Sequence, residues 1–400
     1  MNEGFFSLSE LANSTPKIPH SSRCGLCGLY RKCKTPKMKT YGHGRKGILV
    51  VSESPGKHED EIGHPLSGKT NMHLEGGFDA IDIDLKRDCW RTNAVICKTI
   101  DKKHPESKQI QACLPNLKKT IDKLQPTVIL LMGNAAVESF MSMIGMTGHG
   151  FEIGQWVNWN IPLQELNCWV CIVHNPSHLM YLDSEVADRE FQRTLEACKK
   201  LSKSRPWKTV PNYKDSIELL YNSRHVKQNI KEIIQNGGTM SFDYEATCLK
   251  PEYAGAEIVS CSVCWKGKKT IAYPWNSENA DSTRHLLRSP VKKVGANIKF
   301  EQRWTKFFLK TDVKHWLHDT MLSAHVLDYR SGITSLTFQS FVRLGLLPYD
   351  EHIKPFLQSN DDSHINRIKE IPLKDLLEYN GLDSYTCYNI YMLQRKEIND

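Results

Sequence analysis

The segment that decides the fold of the first half is Gly47-Ile-Leu-Val-Val-Ser-Glu-Ser-Pro-Gly-Lys-His-Glu-Asp60, a short apolar run followed at once by an acidic loop. Two similar apolar runs follow at residues 127–132 and 168–173, and residues 109–124 carry apolar side chains at helical spacing. Uninterrupted apolar runs are typical of strands buried on both faces, and their alternation with helices is typical of a parallel sheet. The sequence therefore predicts an α/β fold for this half.

The second half follows the same pattern. Strands are expected at residues 239–245, 257–264 and 268–273, with helices following them. The last apolar-periodic segment, residues 373–393, is expected to be helical throughout. The second half is therefore also predicted to be α/β.

The length of 400 residues favours two domains rather than one core. Residues 199–213 are basic, contain two prolines and lack hydrophobic periodicity, which is typical of a linker. We therefore expect domains at residues 1–200 and 215–400, joined by a linker at residues 201–214.

Composition excludes several classes of protein. Hydrophobic residues make up 40% and charged residues 24% of the chain, which is typical of a globular protein. The apolar runs are far shorter than a membrane span, and the amino-terminal residues lack the features of a secretion signal. We expect a cytoplasmic protein without a membrane partner. The net charge of +8 is compatible with a polyanionic partner but does not require one.

Thirteen cysteines in a chain without an export signal favour metal ligation over disulfides. Cys24 and Cys27 form a CxxC pair, and Cys97 and Cys113 form a wider pair separated by fifteen residues. Two close and two distant thiolates suit a [4Fe–4S] cluster, and the same four suit tetrahedral zinc. Spacing gives no role to two other cysteines, which are Cys33 and Cys89.

Several motifs accompany these cysteines in a fixed order. The acidic loop at residues 52–60 is followed by Gly63-His-Pro-Leu-Ser-Gly68, by Thr92-Asn93 four residues before Cys97, and by Asn175-Pro-Ser177. Together with the cysteine spacing, this order resembles a family 4 uracil-DNA glycosylase over about residues 20–200. The resemblance implies a glycosylase-like parallel-sheet sandwich and a [4Fe–4S] cluster bound by Cys24, Cys27, Cys97 and Cys113.

The same resemblance implies roles for individual residues. Glu53 and Glu59 match the loop carboxylates near the attacking water, and Asn93 matches the amide that contacts the pyrimidine edge. Two positions depart from the family, since Leu66 replaces a stacking Phe and Asn175 replaces the catalytic His. Because a flipped base needs stacking and a donor for the leaving anion, these changes disfavour uracil excision without excluding it.

Four acids in the second half form another set. Asp243 and Glu245 lie at positions i and i+2 of an expected strand and so share a face, and Glu301 follows in Asn297-Ile-Lys-Phe-Glu301. Asp383 lies on the long helix, one turn after Tyr379. Four converging acids are costly unless cations lie between them, which is the condition for a two-metal nuclease.

The order of these acids resembles the DEDD 3′–5′ exonucleases of the tyrosine type, specifically the proofreading domain of family A DNA polymerases, over about residues 215–400. The resemblance implies a ribonuclease H-like fold and two Mg²⁺ (or Mn²⁺) ions held by Asp243, Glu245 and Asp383, with Glu301 and Tyr379 also catalytic. Glu301 stands where Asp is usual, and Asp319 is the alternative for its role.

The two domains in this order resemble the N-terminal part of polymerases of large bacteriophages. The leading hypothesis is a 3′–5′ exonuclease that proofreads DNA in replication and has a glycosylase-like domain that binds DNA. It would prefer single-stranded 3′ ends and work with a polymerase domain or subunit in the host cytoplasm. One alternative is a glycosylase that removes uracil or a modified pyrimidine in base excision repair. The other is a non-catalytic DNA-binding module for a polymerase. We expect no nucleotide polymerisation from these residues, in a chain that is either a separate polypeptide or a piece of a longer polymerase.

Overall fold

The computed structural model describes residues 21–100, 104–146, 151–182, 184–267, 269–359 and 364–399. These residues form two compact units, one at residues 21–210 with 344–347 and the other at residues 211–343 with 348–399. The predicted start of the first domain at residues 1–20 and the predicted strand start at Lys268 lie outside the described residues. The predicted domain limits, 1–200 and 215–400, stay a prediction.

The first unit is built on a sheet of five strands in the order β2-β1-β3-β5-β4. All neighbours are parallel except β4, which pairs antiparallel with β5. Strands β1 and β3 are buried along their whole length, because helices cover both faces of the sheet. The strands are β1 (Ile48–Ser52), β2 (Cys89–Asn93), β3 (Val128–Met132), β4 (Asn160–Leu163) and β5 (Cys168–Val173).

Eight helices accompany this sheet within the described residues. The longest lies over the segment for which the sequence predicts a helix, residues 109–124. The helices are α1 (Cys24–Cys27), α2 (Lys57–Ile62), α3 (Lys69–Asp79), α4 (Ser107–Leu124), α5 (Asn134–Met143), α6 (Ile153–Trp156), α7 (Pro176–Leu182) and α8 (Glu185–Leu201).

Two strands of this sheet were not predicted from the sequence. Strand β2 has the sequence Cys-Trp-Arg-Thr-Asn, and its polar residues interrupt the apolar run that is typical of a buried strand. Strand β4 contains Pro162, which is tolerated because β4 is an edge strand. The missed strand β2 matters because it ends at Asn93, one of the predicted site residues.

Part of the expected linker is fixed to the first unit. The Trp207 indole donates a hydrogen bond to the Pro162 carbonyl at 2.8 Å, and its backbone N–H donates to Asn167 Oδ1 at 3.2 Å. The contact division falls later, between Val210 and Pro211. Residues 201–207 are therefore held in place rather than freely flexible.

The second unit contains a mixed sheet of six strands in the order β11-β10-β7-β8-β9-β6. Strand β8 pairs antiparallel with β7 on one side and with β9 on the other, and the remaining neighbours are parallel. The strands are β6 (Ile217–Leu219), β7 (Thr239–Ala246), β8 (Ile258–Trp265), β9 (Lys269–Pro274), β10 (Lys292–Gly295) and β11 (Trp316–Asp319).

A long C-terminal helix lies across β7, β8 and β9 and dominates the packing of this unit. The helices of the second unit are α9 (Ser223–Asn236), α10 (Ser277–Arg288), α11 (Ile298–Leu309), α12 (Thr320–Leu327), α13 (Leu336–Leu344), α14 (Lys354–Leu357) and the long helix α15 (Leu373–Asn399). The predicted α/β class is confirmed for both units. Within the described residues, no helix combines the length and apolar character needed to cross a bilayer.

Gly381 allows α15 to approach the sheet closely. A Cβ atom at this position would lie 2.6 Å from Ile217 Cγ2 and 3.5 Å from Ala272 Cβ, so any larger residue would push the helix away from β6 and β9. A glycine in the middle of a helix costs about 1 kcal/mol relative to alanine. Its presence here is therefore explained by packing.

We expect Gly381→Ala to destabilise the second unit. Overpacking costs about 1–3 kcal/mol, which exceeds the helix-propensity gain, so the melting temperature should fall by about 2–4 °C in calorimetry of the full chain. The matched control is Gly76→Ala on α3, where a Cβ would have no neighbour within 4 Å. That variant should melt at a higher temperature by a similar amount, and an equal rise in both variants would contradict the packing explanation.

Candidate functional site

The second unit brings three of the predicted acids together. Asp243 and Glu245 lie on one face of β7, and Asp383 reaches them from α15. One carboxylate oxygen of each lies within 4.8 Å of the others. This is the only group of at least three metal-ligating side chains at that spacing among the described residues. These are the three residues that the sequence analysis predicts as metal ligands.

Burial and mutual repulsion make this carboxylate group costly without a cation. Burial away from water raises the pKa of Asp243 well above its ordinary value, and repulsion from Asp383 is the second-largest cause of this rise. Withdrawal from water and repulsion from Asp243 likewise raise the pKa of Glu245. The pKa of Asp383 rises to about 7 through loss of water, although hydrogen bonds from Tyr349 and Tyr379 oppose the rise. A divalent cation would remove this repulsion.

Two further residues orient the acids. Asn380 Nδ2 donates to Asp243 Oδ2 at 2.7 Å, and its own Oδ1 accepts from Ser260 Oγ at 3.1 Å. The Tyr349 hydroxyl donates to Asp383 Oδ1 at 2.5 Å. Each of these two contacts engages a single oxygen of the carboxylate.

Sequence reasoning missed both of these residues. Asn380 lies three residues before Asp383 on α15, so the helical period could have placed both on one face. Tyr349 lies in an irregular segment 34 residues before Asp383, and no local signal marks it. Tyr379, which was predicted, hydrogen-bonds to Asp383 with its ring centroid 6.1 Å from that of Tyr349.

Glu301 and Asp319, the alternatives for the fourth acid, differ in their surroundings. Glu301 lies in the first turn of α11 and is 2% exposed, and its Oε2 has no hydrogen-bond partner among the described residues. Loss of water and repulsion from Asp243 raise the pKa of Glu301. Asp319 instead accepts four backbone N–H groups, from Asn297, Ile298, Met321 and Leu322. The oxygens of Asp319 are thus occupied, while Glu301 has one available.

In the first unit, Glu53 follows β1 and lies at the centre of a buried polar group. Its carboxylate accepts from the Ala135 N–H at 3.2 Å and from Asn175 Nδ2 at 3.1 Å, and His104 Nδ1 lies 3.3 Å away. Asn175 Oδ1 accepts from the Ser177 N–H at 3.1 Å and from its hydroxyl at 2.9 Å. The Asn-Pro-Ser turn is therefore tied directly to the acidic loop.

Asn93, at the end of β2, is unusual among the buried residues. Its side chain is 2% exposed, yet neither Nδ2 nor Oδ1 has a hydrogen-bond partner among the described residues. An unpaired buried amide costs on the order of 1–3 kcal/mol, so a ligand with both a donor and an acceptor would be stabilised here. A pyrimidine edge carries such a pair.

Glu59 and Leu66 have mainly structural contacts. Glu59 accepts from the backbone N–H groups of Gly56 and Ser67, which ties the acidic loop to the start of α2. Leu66 is 7% exposed and packs in the apolar core with Leu74 and Phe78. The carbonyl of Leu66 accepts from Arg91 Nη1 at 2.9 Å. The pocket roles expected for Glu59 and Leu66 stay predictions.

The four predicted cysteine ligands line one small pocket, together with Tyr30, Lys37 and Asn116. Cys97 Sγ accepts from the Lys37 N–H at 3.3 Å, and Cys113 Sγ accepts from Asn116 Nδ2 at 3.3 Å. Hydrogen bonds of this kind stabilise thiolate ligands. Cys24 and Cys27 complete the set from α1.

The spacing of the sulfur atoms bears on the choice of metal. Zinc with four thiolates at about 2.3 Å would hold the sulfurs about 3.8 Å apart. Within the part of the chain that the structure describes, no three cysteine sulfurs lie within 4.8 Å of one another. These sulfur atoms thus lie farther apart than one zinc ion requires, and their spacing is compatible with a larger cluster. Of the unassigned cysteines, Cys33 contacts Cys97, and Cys89 lies in the apolar core.

Comparison with known proteins agrees with this geometry. Residues 39–199 match the uracil-DNA glycosylase superfamily, and residues 221–399 match the 3′–5′ exonuclease domain of family A DNA polymerases. A type-4 uracil-DNA glycosylase of Pyrobaculum aerophilum is 26% identical over 43% of this chain and 86% of that protein. The DNA polymerase of Bacillus phage SP01 is 23% identical over 73% of this chain, which spans about a third (34%) of that polymerase.

The catalytic core of RRP6 from Trypanosoma brucei is a similar solved structure, with 13% identity and a TM-score of 0.36 over 46% of this chain and 47% of that one. At that score the similarity supports no argument about activity. The sequence matches are sufficient without it. The chain contains a uracil-DNA glycosylase superfamily domain followed by a 3′–5′ exonuclease domain, as the sequence predicted.

Proposed function

We propose that the chain is a metal-dependent 3′–5′ exonuclease that removes nucleotides from DNA 3′ ends, and that it serves as the proofreading module of a phage-type DNA polymerase. The observation that carries this proposal is the cluster of Asp243, Glu245 and Asp383. The match to the exonuclease domain and the similarity to a phage polymerase support it. The glycosylase-like first domain would bind DNA. The expected partners are single-stranded 3′ ends and a polymerase domain or subunit, in the cytoplasm of the host cell.

Each residue of the cluster has a proposed task. Asp243, Glu245 and Asp383 would hold two Mg²⁺ or Mn²⁺ ions, and Glu301 would reach them through water. Such ions lower the pKa of an attacking water and stabilise the leaving 3′ oxygen. Tyr379 would orient that water with its hydroxyl. Asn380 and Tyr349 would keep Asp243 and Asp383 in their ligand orientation.

We expect Asp243→Ala to abolish digestion of 5′-labelled single-stranded DNA in Mg²⁺, because the cluster loses its central carboxylate. Tyr379→Phe should slow digestion by about 10²-fold, in the range of positioned acid–base groups, with little change in metal binding. The ladder of products should shorten from the 3′ end and vanish in EDTA. Digestion by Asp243→Ala at the parent rate would falsify the assignment.

A matched pair of variants separates the two candidates for the fourth acid. Glu301→Gln should slow digestion with an unchanged melting temperature, since its Oε2 has no structural partner. Asp319→Asn should instead lower the melting temperature, since one of its two acceptor oxygens becomes a donor amide and at least the hydrogen bond from the Ile298 N–H is lost. The reverse outcome would transfer the catalytic role to Asp319.

We also propose that Cys24, Cys27, Cys97 and Cys113 bind a [4Fe–4S] cluster that fixes the loops of the first domain. Protein purified without oxygen should be brown, with a broad absorption near roughly 400 nm and about four irons per chain. Cys97→Ser should lose this absorption. Cys33→Ser is the matched control and should keep it. Protein with stoichiometric zinc and no iron would overturn the proposal.

A second candidate function, base excision, is favoured by the unpaired amide of Asn93. Because Leu66 packs in the core and Asn175 is not an imidazole, we expect little release of uracil from single-stranded DNA; a modified pyrimidine is the other substrate to test. Alkali-labile sites in uracil-containing DNA are the measurement. Rapid formation of such sites, lost in Asn93→Ala, would establish the glycosylase. If neither exonuclease nor glycosylase activity is found, the chain is best explained by the third candidate, a non-catalytic DNA-binding module for a polymerase.

A further inference from the structure

One short segment of the first unit is especially rich in basic residues. Residues 23–46, here called the basic segment, contain eight Lys and Arg residues and no Asp or Glu. The other 45 basic residues of the chain equal its 45 acidic residues, so this segment alone accounts for the net charge of +8. Like charges at this density repel one another unless a polyanion neutralises them.

The backbone of the basic segment is held rigidly although it contains little regular structure. The Met38 N–H donates to the Ile96 carbonyl at 2.8 Å, and Tyr41 exchanges two backbone hydrogen bonds with Arg91. Further along, the Lys46 N–H donates to the Asp88 carbonyl at 3.0 Å. Tyr41 thus forms an isolated antiparallel bridge with β2, and residues 43–46 are bonded to residues 86–89, so the position of this backbone does not depend on its charged side chains.

The side chains of the segment project into solvent. Only Lys34 has an acidic partner within 4 Å, Glu61 at 3.5 Å; for the other seven, the described residues provide none. Long cationic side chains on an ordered backbone, with no acidic partner, can bind phosphates with little loss of backbone entropy. Seven of the eight are exposed, namely Arg23, Arg31, Lys32, Lys34, Lys37, Lys39 and Arg45.

The segment also adjoins the loops around the buried polar residues Glu53 and Asn93, here called the pocket. The backbone N–H groups of Lys34 and Thr35 donate to the carboxylate of Asp60, at the end of the acidic loop. The Tyr41 ring lies 4.3 Å from that of His64, in the following loop. A strand of DNA bound along this segment would therefore pass close to the end of β2, where the unpaired amide of Asn93 lies.

We infer that the basic segment is a DNA backbone-binding surface of the first domain, and that residues 31–39 contact the phosphates next to the pocket. This inference rests on the DNA-binding role proposed above for that domain. It names the residues that supply the binding energy, and it holds whether or not the pocket excises a base.

The experiment measures binding of the full chain to a circular single-stranded DNA in EDTA. A circle has no 3′ end for the nuclease site, and EDTA prevents cleavage. The test variant combines Arg31→Gln, Lys32→Gln and Lys39→Gln. Since each phosphate contact on single strands adds about 0.7 to the salt slope, the slope should become shallower by about 2, and affinity at 0.1 M salt should fall about 100-fold.

Two control variants isolate the cause. Lys118→Gln, Lys119→Gln and Lys123→Gln remove the same charge from α4, whose C-terminal turns precede β3 and lie at the sheet edge opposite Asn93. This variant should keep parent affinity within about threefold. The charge-conserving variant with Arg31→Lys, Lys32→Arg and Lys39→Arg should also bind as the parent does, which separates charge from folding.

The outcomes are distinct. Equal losses in the test variant and the α4 variant, or no loss in the test variant, overturn the inference and leave the proposed function intact. Loss of binding in the charge-conserving variant overturns it as well. If the parent itself does not bind the circle, the proposed DNA-binding role of the first domain fails, while digestion of linear DNA still tests the nuclease.

Discussion

Helix α15 must lie very close to the sheet of the second unit, because Asp383 joins a carboxylate cluster whose other members lie on β7. Gly381 removes the side chain that would keep the helix away, and the Ser260 and Ser262 hydroxyls of β8 bond to Asn380. Ser260 and Ser262 stand opposite Glu245 and Asp243 in the register of β7 and β8. The same contacts that dock the helix thus also place the carboxylates.

The carboxylate cluster is electrostatically unfavourable without a cation, and the surrounding residues do little to relieve it. Asn380 and Tyr349 each donate one hydrogen bond, and within the described residues no Lys or Arg pairs with Asp243, Glu245 or Asp383. A structural role would be served better by a basic partner or by apolar residues. The arrangement therefore favours metal binding over fold stabilisation as the reason for these acids.

Local geometry made each pair within the acidic cluster predictable, and the resemblance to exonucleases predicted that the two pairs converge. Alternation along a strand puts Asp243 and Glu245 on one face, and the helical period puts Tyr379 beside Asp383. Contacts that depend on packing between distant segments were not predictable. The hydrogen bond from Tyr349 to Asp383, the burial of Leu66 in the core and the amide contacts of Asp319 are of this kind. Strand β2 was not predicted because polar residues interrupt its apolar pattern.

Asp319 joins the starts of two helices with one carboxylate, since its oxygens accept from the first residues of both α11 and α12. The N-termini of the two helices are therefore held by the same carboxylate. Neither helix can slide along its axis without breaking its hydrogen bonds to Asp319. Glu301 lies one turn into α11, so the helix cannot shift to adjust the distance from residue 301 to the cluster. The distance between the Glu301 carboxylate and the cluster is therefore set by the length of the glutamate side chain, with its extra methylene, rather than by the position of α11.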